Sequence, residues 1–251
     1  DVALNVFKLI QFFRAYHIDI IIPFFSSFKN LFKIPSLPYN KINMDQTAEQ
    51  KLFGRGFRCL AGIDEAGRGP LAGPVVAGLV IISDDDDRIS ENKDLEAIKD
   101  SKKLTPKKRE ELFKVITSQF PVAVGICDNQ TIDRINIRQA CFLAIKKALG
   151  EIKIRPDLLL LDGDAALPNC SYPQKCIKHG DALIFAIAAA SIIAKVTRDR
   201  MMMELHEKYP DYGFDRHKGY GTQLHLENLK KHGPAPVHRY SFKPVSRFKS
   251  V

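Results

Sequence analysis

The sequence predicts an α/β domain in which a sheet of five strands is covered by helices. Two observations carry this. From Cys59 onward, short apolar runs alternate with amphipathic stretches, the pattern of strands interleaved with covering helices. In addition, the leucine run before Asp162 is uninterrupted by polar residues, as in a strand buried on both faces. A chain of 251 residues with 45% hydrophobic and 27% charged residues is long enough for one substantial core and too mixed for wholesale disorder. Its 15 Gly and 14 Pro are scattered, which excludes collagen-like, mucin-like and coiled-coil chains.

Taken in order, Cys59 to Asp64 (CLAGID) and Pro74 to Ile82 (PVVAGLVII) read as neighbouring strands joined by a glycine-rich connection, and Asp84 to Asp87 as an exposed acidic loop. Thr105 followed by Pro106 is a helix start, because proline at the first helical position forfeits no hydrogen bond, and the helix continues through Ser118. Pro121 to Cys127 is a third strand. Asn136 caps a helix over Ile137 to Leu149 that Gly150 closes. Asp157 to Asp162 is the fourth strand and Gln174 to Ile177 a weak fifth. Asp181 to about Tyr209 reads as one long helix, apolar almost all round over Ala182 to Ala194 and amphipathic from Lys195, with Pro210 as its stop.

Residues 1–43 differ in kind: they are rich in Phe, Ile and Leu, with five basic and two acidic residues. Arg14, His17, Asp19, Pro23 and Lys29 interrupt the apolar run, so a membrane span of about 20 residues is not expected. The run also lacks the layout of a cleavable signal. The first methionine is Met44. The expected organisation is therefore an N-terminal extension, 1–43, either native or upstream sequence, and a folded domain, 44–251.

The net charge of +9 and pI near 9.3 favour polyanionic partners such as nucleic acid. Without the extension the chain is still +6, and Lys195 to Val251 alone holds twelve basic against six acidic residues. Five cysteines without a C-x-x-C spacing oppose a disulfide framework and a zinc site and suit a reducing cytoplasm.

Four acids stand where strands or helices begin or end: Asp64, Glu65, Asp162 and Asp181. Each has an ordinary reading alone. Asp181 could cap its helix, Asp162 could serve the Asp-Gly-Asp turn, and Asp64 with Glu65 could be an exposed strand end. Gathered together they would repel one another, and hard oxygen ligands without His or Cys select Mg²⁺ or Mn²⁺. Strand alternation lets Asp64 and Glu65 share one centre only if the strand ends there. Gly67 and Gly69 bring backbone close to a ligand, with Arg68 as a planar donor between them.

The segment Gly62-Ile63-Asp64-Glu65-Ala66-Gly67-Arg68-Gly69 closely resembles the bacterial ribonuclease HII family. The likeness continues through Gly73-Pro74-Val75-Val76-Ala77, Asp100-Ser101-Lys102-Lys103-Leu104, Leu161-Asp162-Gly163, Gly180-Asp181-Ala182, Ala188 to Arg200, Tyr212-Gly213-Phe214 and His217-Lys218-Gly219-Tyr220-Gly221-Thr222. It implies an RNase H-like fold: a central mixed five-stranded sheet between helices, with a helical C-terminal part that helps hold substrate. It implies that Asp64, Glu65, Asp162 and Asp181 are the catalytic, metal-binding carboxylates. Gly67, Arg68 and Gly69 would sense a ribose 2′-hydroxyl, and Tyr220 would stack on the sugar beyond the junction.

The implied activity is two-metal hydrolysis, with Mn²⁺ or Mg²⁺, of RNA in RNA/DNA hybrids. It includes nicking 5′ to ribonucleotides in duplex DNA, leaving 3′-hydroxyl and 5′-phosphate ends. The implied protein is a cytoplasmic monomer with no membrane partner. Lys102, Lys103, Lys195 and Arg198 are candidate phosphate contacts. His217 reads as a surface residue and Met201 to Met203 as core filling. Ile184 and Ala186 depart from relatives that often carry serines there, which puts hydrogen bonding around the metal ligands in doubt. The rival ribonuclease HIII reading lacks an N-terminal substrate-binding domain, and a non-catalytic nucleic-acid binder would lack one of the four acids.

Overall fold

A computed structural model of the chain describes residues 47–86, 95, 98 and 104–248. The extension 1–43 and the expected phosphate contacts Lys102 and Lys103 lie outside the described residues.

A short helix, α1 (Ala48–Phe53), opens the described part and is closed at its start by a reciprocal capping box between Thr47 and Gln50. Strand β1 (Cys59–Ala66) pairs antiparallel with β2 (Val75–Ser83), with Cys59 opposite Ser83 and Ala66 opposite Val76. Helix α2 (Pro106–Gln119) starts as its sequence dictates, with the Thr105 hydroxyl accepting from Lys108 N–H at 3.2 Å. Strand β3 (Val122–Cys127) adds antiparallel to β2. Helices α3 (Asn129–Ile135) and α4 (Ile137–Glu151) follow. Asn136 caps α4 through its side chain, but Gly150 lies inside the helix and does not close it.

Strands β4 (Leu158–Asp162) and β5 (Gln174–Ile177) extend the sheet parallel to β1. The strand order is β3-β2-β1-β4-β5, the mixed five-stranded sheet that was expected. The C-terminal part is helical as well: α5 (Gly180–Leu183), α6 (Phe185–Lys208), α7 (Phe214–His217) and α8 (Gln223–His232).

Alternation along the central strands divides the core into two layers. Leu60, Val80, Ile82, Leu158 and Leu160 face α6, and Ala61, Ile63, Leu79, Ile81, Leu159 and Leu161 face α4. Each buried aliphatic side chain contributes roughly 1.5–3 kcal/mol. Helix α6 lies against the sheet at two glycines. A Cβ at Gly62 would sit 2.1 Å from the Ala186 carbonyl carbon, and one at Gly78 would sit 2.3 Å from the Ala190 oxygen. Only a missing side chain allows that approach, and it brings the next turn of α6 over the end of β1.

The region read as one helix from Asp181 is two. Ile184 is extended, with φ −121° and ψ 120°, and separates α5 from α6. The reason lies far away in sequence. The buried Glu49 carboxylate of α1 accepts hydrogen bonds from the Phe185 and Ala186 amides, so it satisfies the first donors of α6 and favours its dipole. A helix continuing through Ile184 would spend those donors internally.

Candidate active site

Alternation predicts which acids meet. The β1–β4 register pairs Gly62 with Leu160 and Ile63 with Leu161; continued by one residue, it sets Asp162 beside Asp64, both on the α6 face of adjacent parallel strands about 4.8 Å apart. Strand β1 does not end at the acids. It runs on to Ala66 along β2, while pairing with β4 stops at Ile63. Glu65 therefore leaves β1 on the opposite face from Asp64; the expectation that the two acids could meet only at a strand end does not hold, because both line one open cleft of about 400 Å³ with Asp162, and Glu65 also lines a neighbouring one beside α4.

Asp181 is buried on α5, one residue past Gly180, whose amide donates to Asp162 Oδ1 at 2.7 Å. It is not among the cleft-lining residues. The four predicted acids are thus brought to one end of the sheet by β1, β4 and α5. Among the described residues, no three His, Cys, Asp or Glu side chains are arranged to hold a metal ion as they stand. The acids are engaged elsewhere: Glu65 Oε1 accepts from Arg68 at 3.0 Å, and Asp64 Oδ1 from the Glu65 amide at 2.7 Å.

Their electrostatics still fit a divalent cation. Asp64 is 8% exposed. Burial first, then the charges of Glu65 and Asp162, push its carboxyl up to about 7, against a hydrogen bond from Ser191. Burial also raises Glu65, opposed by Arg68. A buried group of oxygens that repel one another is the donor chemistry of Mg²⁺ or Mn²⁺, and a cation there would remove the repulsion. Ser191 comes from α6 and gives Asp64 a hydroxyl partner, while Ile184 and Ala186 carry no hydroxyl.

The turn after β1 is built from inside. Gly67 has φ +98°, and a Cβ there would meet Arg198 Nε at 2.2 Å and the Pro74 oxygen at 2.7 Å, so only glycine fits. The buried Arg239 guanidinium donates to the Gly67 oxygen at 2.6 Å, the Arg68 oxygen at 3.0 Å, the Gly73 oxygen at 3.0 Å and the Pro74 oxygen at 3.1 Å. In a trans peptide the N–H points opposite the C=O. With the Gly67 and Arg68 carbonyls drawn inward, the Arg68 and Gly69 amides turn away from Arg239, on residues that line the cleft. Tyr220 completes that wall, 45% exposed, with its ring 3.9 Å from where a Cβ of Gly69 would stand.

Three expectations need correction, those for Arg198, His217 and Met203. Arg198 is 1% exposed and donates to the carbonyls of Pro74, Lys218 and Ala72 at 3.0–3.2 Å, so its guanidinium is committed to backbone rather than offered to a phosphate. His217 is buried, not at the surface. Of the expected phosphate contacts that are described, Lys195 lines the cleft, paired with Asp199 at 2.8 Å. Met202 is buried as expected, whereas Met203 is exposed. Sequence reading missed Arg239, Ser191, Glu49 and the cleft-lining Arg109. A buried arginine bound to carbonyls carries no charge-pair signature in sequence, although the glycines it braces were visible.

Residues 61–245 match the family described as Ribonuclease HII. A ribonuclease HII of Caldicellulosiruptor bescii is 50% identical over 195 residues, covering 77% of this chain and 91% of that protein. Among solved structures, the ribonuclease H2 of Pyrococcus horikoshii OT3 aligns with TM-score 0.62 and 30% identity over 76% of this chain and 96% of that one. The RNase HII of Archaeoglobus fulgidus, solved in complex with PCNA, aligns with TM-score 0.59 and 30% identity over 73% and 95%.

Proposed function

The chain belongs to the ribonuclease HII family, metal-dependent endonucleases that cut RNA in RNA/DNA hybrids, and we propose that it also nicks duplex DNA on the 5′ side of an embedded ribonucleotide. The products carry 3′-hydroxyl and 5′-phosphate ends. The observation that supports the site assignment most is the juxtaposition of Asp64 and Asp162 on adjacent strands. They share a cleft with the Gly67–Gly69 turn and Tyr220.

In this reading Asp64, Glu65, Asp162 and Asp181 hold Mn²⁺ or Mg²⁺. Bound there, divalent ions supply Lewis acidity to the attacking water and charge neutralisation to the leaving 3′-oxygen. The protein supplies the rest. Ser191 orients Asp64, and the Gly180 amide orients Asp162. The outward Arg68 and Gly69 amides meet the ribose 2′-hydroxyl. A deoxyribose leaves them unpaired in a site from which substrate has displaced water, and an unmet polar partner discriminates strongly against the analogue that lacks it. Tyr220 stacks on the following sugar, and Lys195 meets a phosphate. Five free thiols suit a reducing cytoplasm; no helix among the described residues is long and apolar enough to cross a membrane.

The test is a labelled duplex with one ribonucleotide, compared with an all-DNA duplex and an RNA/DNA hybrid, each with Mg²⁺, Mn²⁺ or chelator. A single cut 5′ to the ribonucleotide that needs the metal is expected. Equal nicking of the all-DNA duplex refutes 2′-hydroxyl sensing.

A further inference from the structure

Behind Tyr220, away from the acids, three imidazoles are packed where leucines would be cheaper to bury. His225 and His238 are fully buried and His217 is 8% exposed. The Ala235 amide donates to His238 Nδ1 at 2.9 Å, His238 Nε2 lies 3.0 Å from His225 Nε2, and His225 Nδ1 lies 2.9 Å from the Tyr220 carbonyl oxygen.

One placement of protons satisfies all three contacts. The Tyr220 carbonyl can only accept, so His225 carries its proton on Nδ1. His225 Nε2 is then a lone pair, and His238 must donate from Nε2. That leaves His238 Nδ1 to accept from Ala235. The Ala235 carbonyl, 3.1 Å from the same nitrogen, already accepts the His238 backbone N–H at 3.0 Å. The opposite tautomers would set a lone pair against the Tyr220 oxygen and an N–H against the Ala235 amide. His217 stacks on His225 with centroids 4.5 Å apart and is fixed separately, its Nε2 2.8 Å from the Tyr212 carbonyl.

We propose that His225 and His238 are positioning residues for substrate selection: their relay fixes the Tyr220 carbonyl and so aims the Tyr220 ring across the cleft at the Gly67–Gly69 turn. The inference rests on the proposed stacking role of Tyr220. The ring is half-exposed, so the direction of its backbone decides where it points. The next residue after His238 is Arg239, which grips the Gly67 and Arg68 carbonyls. One dipeptide therefore sets both walls of the cleft, one through the relay and one directly. Burial, with a smaller push from a neighbouring imidazole, holds His225 and His238 at about 4. The relay thus stays neutral wherever the enzyme works.

The test uses the full chain and two readouts. Long-range ¹⁵N–¹H spectra of the imidazoles should show the Nδ1–H tautomer at His225 and the Nε2–H tautomer at His238, without titration between about pH 5.5 and 8. The reverse tautomer at His225, or ordinary titration of either ring, overturns the relay without any variant having to fold. In kinetics, His225→Ala should lower kcat/KM on the single-ribonucleotide duplex by about tenfold, the scale of one positioning hydrogen bond. The RNA/DNA hybrid should be affected less. His225→Asn, which keeps a donor near the Nδ1 position, should recover most of the loss. If Tyr220→Ala loses activity on the single-ribonucleotide duplex and His225→Ala does not, the relay is refuted while the reading of Tyr220 stands. If Tyr220→Ala changes nothing on either substrate, both fail.

Discussion

Asp64→Asn should stabilise the metal-free protein, and by more as the pH rises. Asp64 is protonated up to about pH 7 in the folded chain, whereas an unfolded aspartate ionises near 3.9. Between those values the native state holds one more proton than the unfolded state, so stability falls with rising pH by about 1.36 kcal/mol per unit. From pH 5 to pH 8 the wild type should therefore lose roughly 2–3 kcal/mol relative to Asp64→Asn, nearly all of it below pH 7. Groups not coupled to Asp64 cancel in that difference. Removing its charge also relieves Glu65, which moves the result the same way. The assay is urea unfolding of both proteins in chelator at pH 5, 6, 7 and 8. A difference that stays flat, or favours the wild type as pH rises, refutes the picture of a desolvated, mutually repelling carboxylate pair.

Other perturbations probe the supports of the site. Gly62→Ala drives a methyl into the Ala186 backbone, which cannot rotate away. It should cost about 3 kcal/mol or more in urea unfolding and should depress nicking, since Ser191 then moves off Asp64; a loss under 1 kcal/mol would contradict direct helix-on-strand contact. Arg239→Lys replaces a planar fork by a point charge that cannot span four carbonyls. Hydrogen exchange at the Gly73 amide, which donates to the Val237 oxygen at 2.9 Å beside the braced carbonyls, should accelerate by about tenfold or more, and unchanged exchange would show that the turn holds itself.

The sheet was legible because its physics is local. Apolar runs marked four of the strands, and the weak fifth, β5, matches its expected Gln174–Ile177 bounds. The acids stood out as element ends, but each alone also reads as a cap, a turn or a strand end, and it is the resemblance that assigns all four to one site. What escaped is what distant residues decide. The break at Ile184 depends on Glu49, 136 residues before the Phe185 amide it accepts from, and no window around Ile184 contains it. Gly150 reads as a helix stop by propensity, yet α4 continues past it to Glu151. Arg198, Arg239 and His217 look like surface cations in sequence. The two arginines are buried on carbonyls that the turns after β1 and α7 leave free, and His217 on the Tyr212 carbonyl. The arginines thereby brace the turn that borders the cleft.

The central claim is that Asp64, Glu65, Asp162 and Asp181, delivered by β1, β4 and α5, hold divalent cations together. Direct titration of Mn²⁺ into the full chain, followed by electron paramagnetic resonance and competed with Mg²⁺, measures it without substrate. Tight binding displaced by Mg²⁺ is expected, weakened by about tenfold or more in each of Asp64→Asn, Glu65→Gln, Asp162→Asn and Asp181→Asn. Mn²⁺ binding that is unchanged in Asp181→Asn, the buried acid outside the cleft lining, or in both Asp64→Asn and Asp162→Asn, would contradict it.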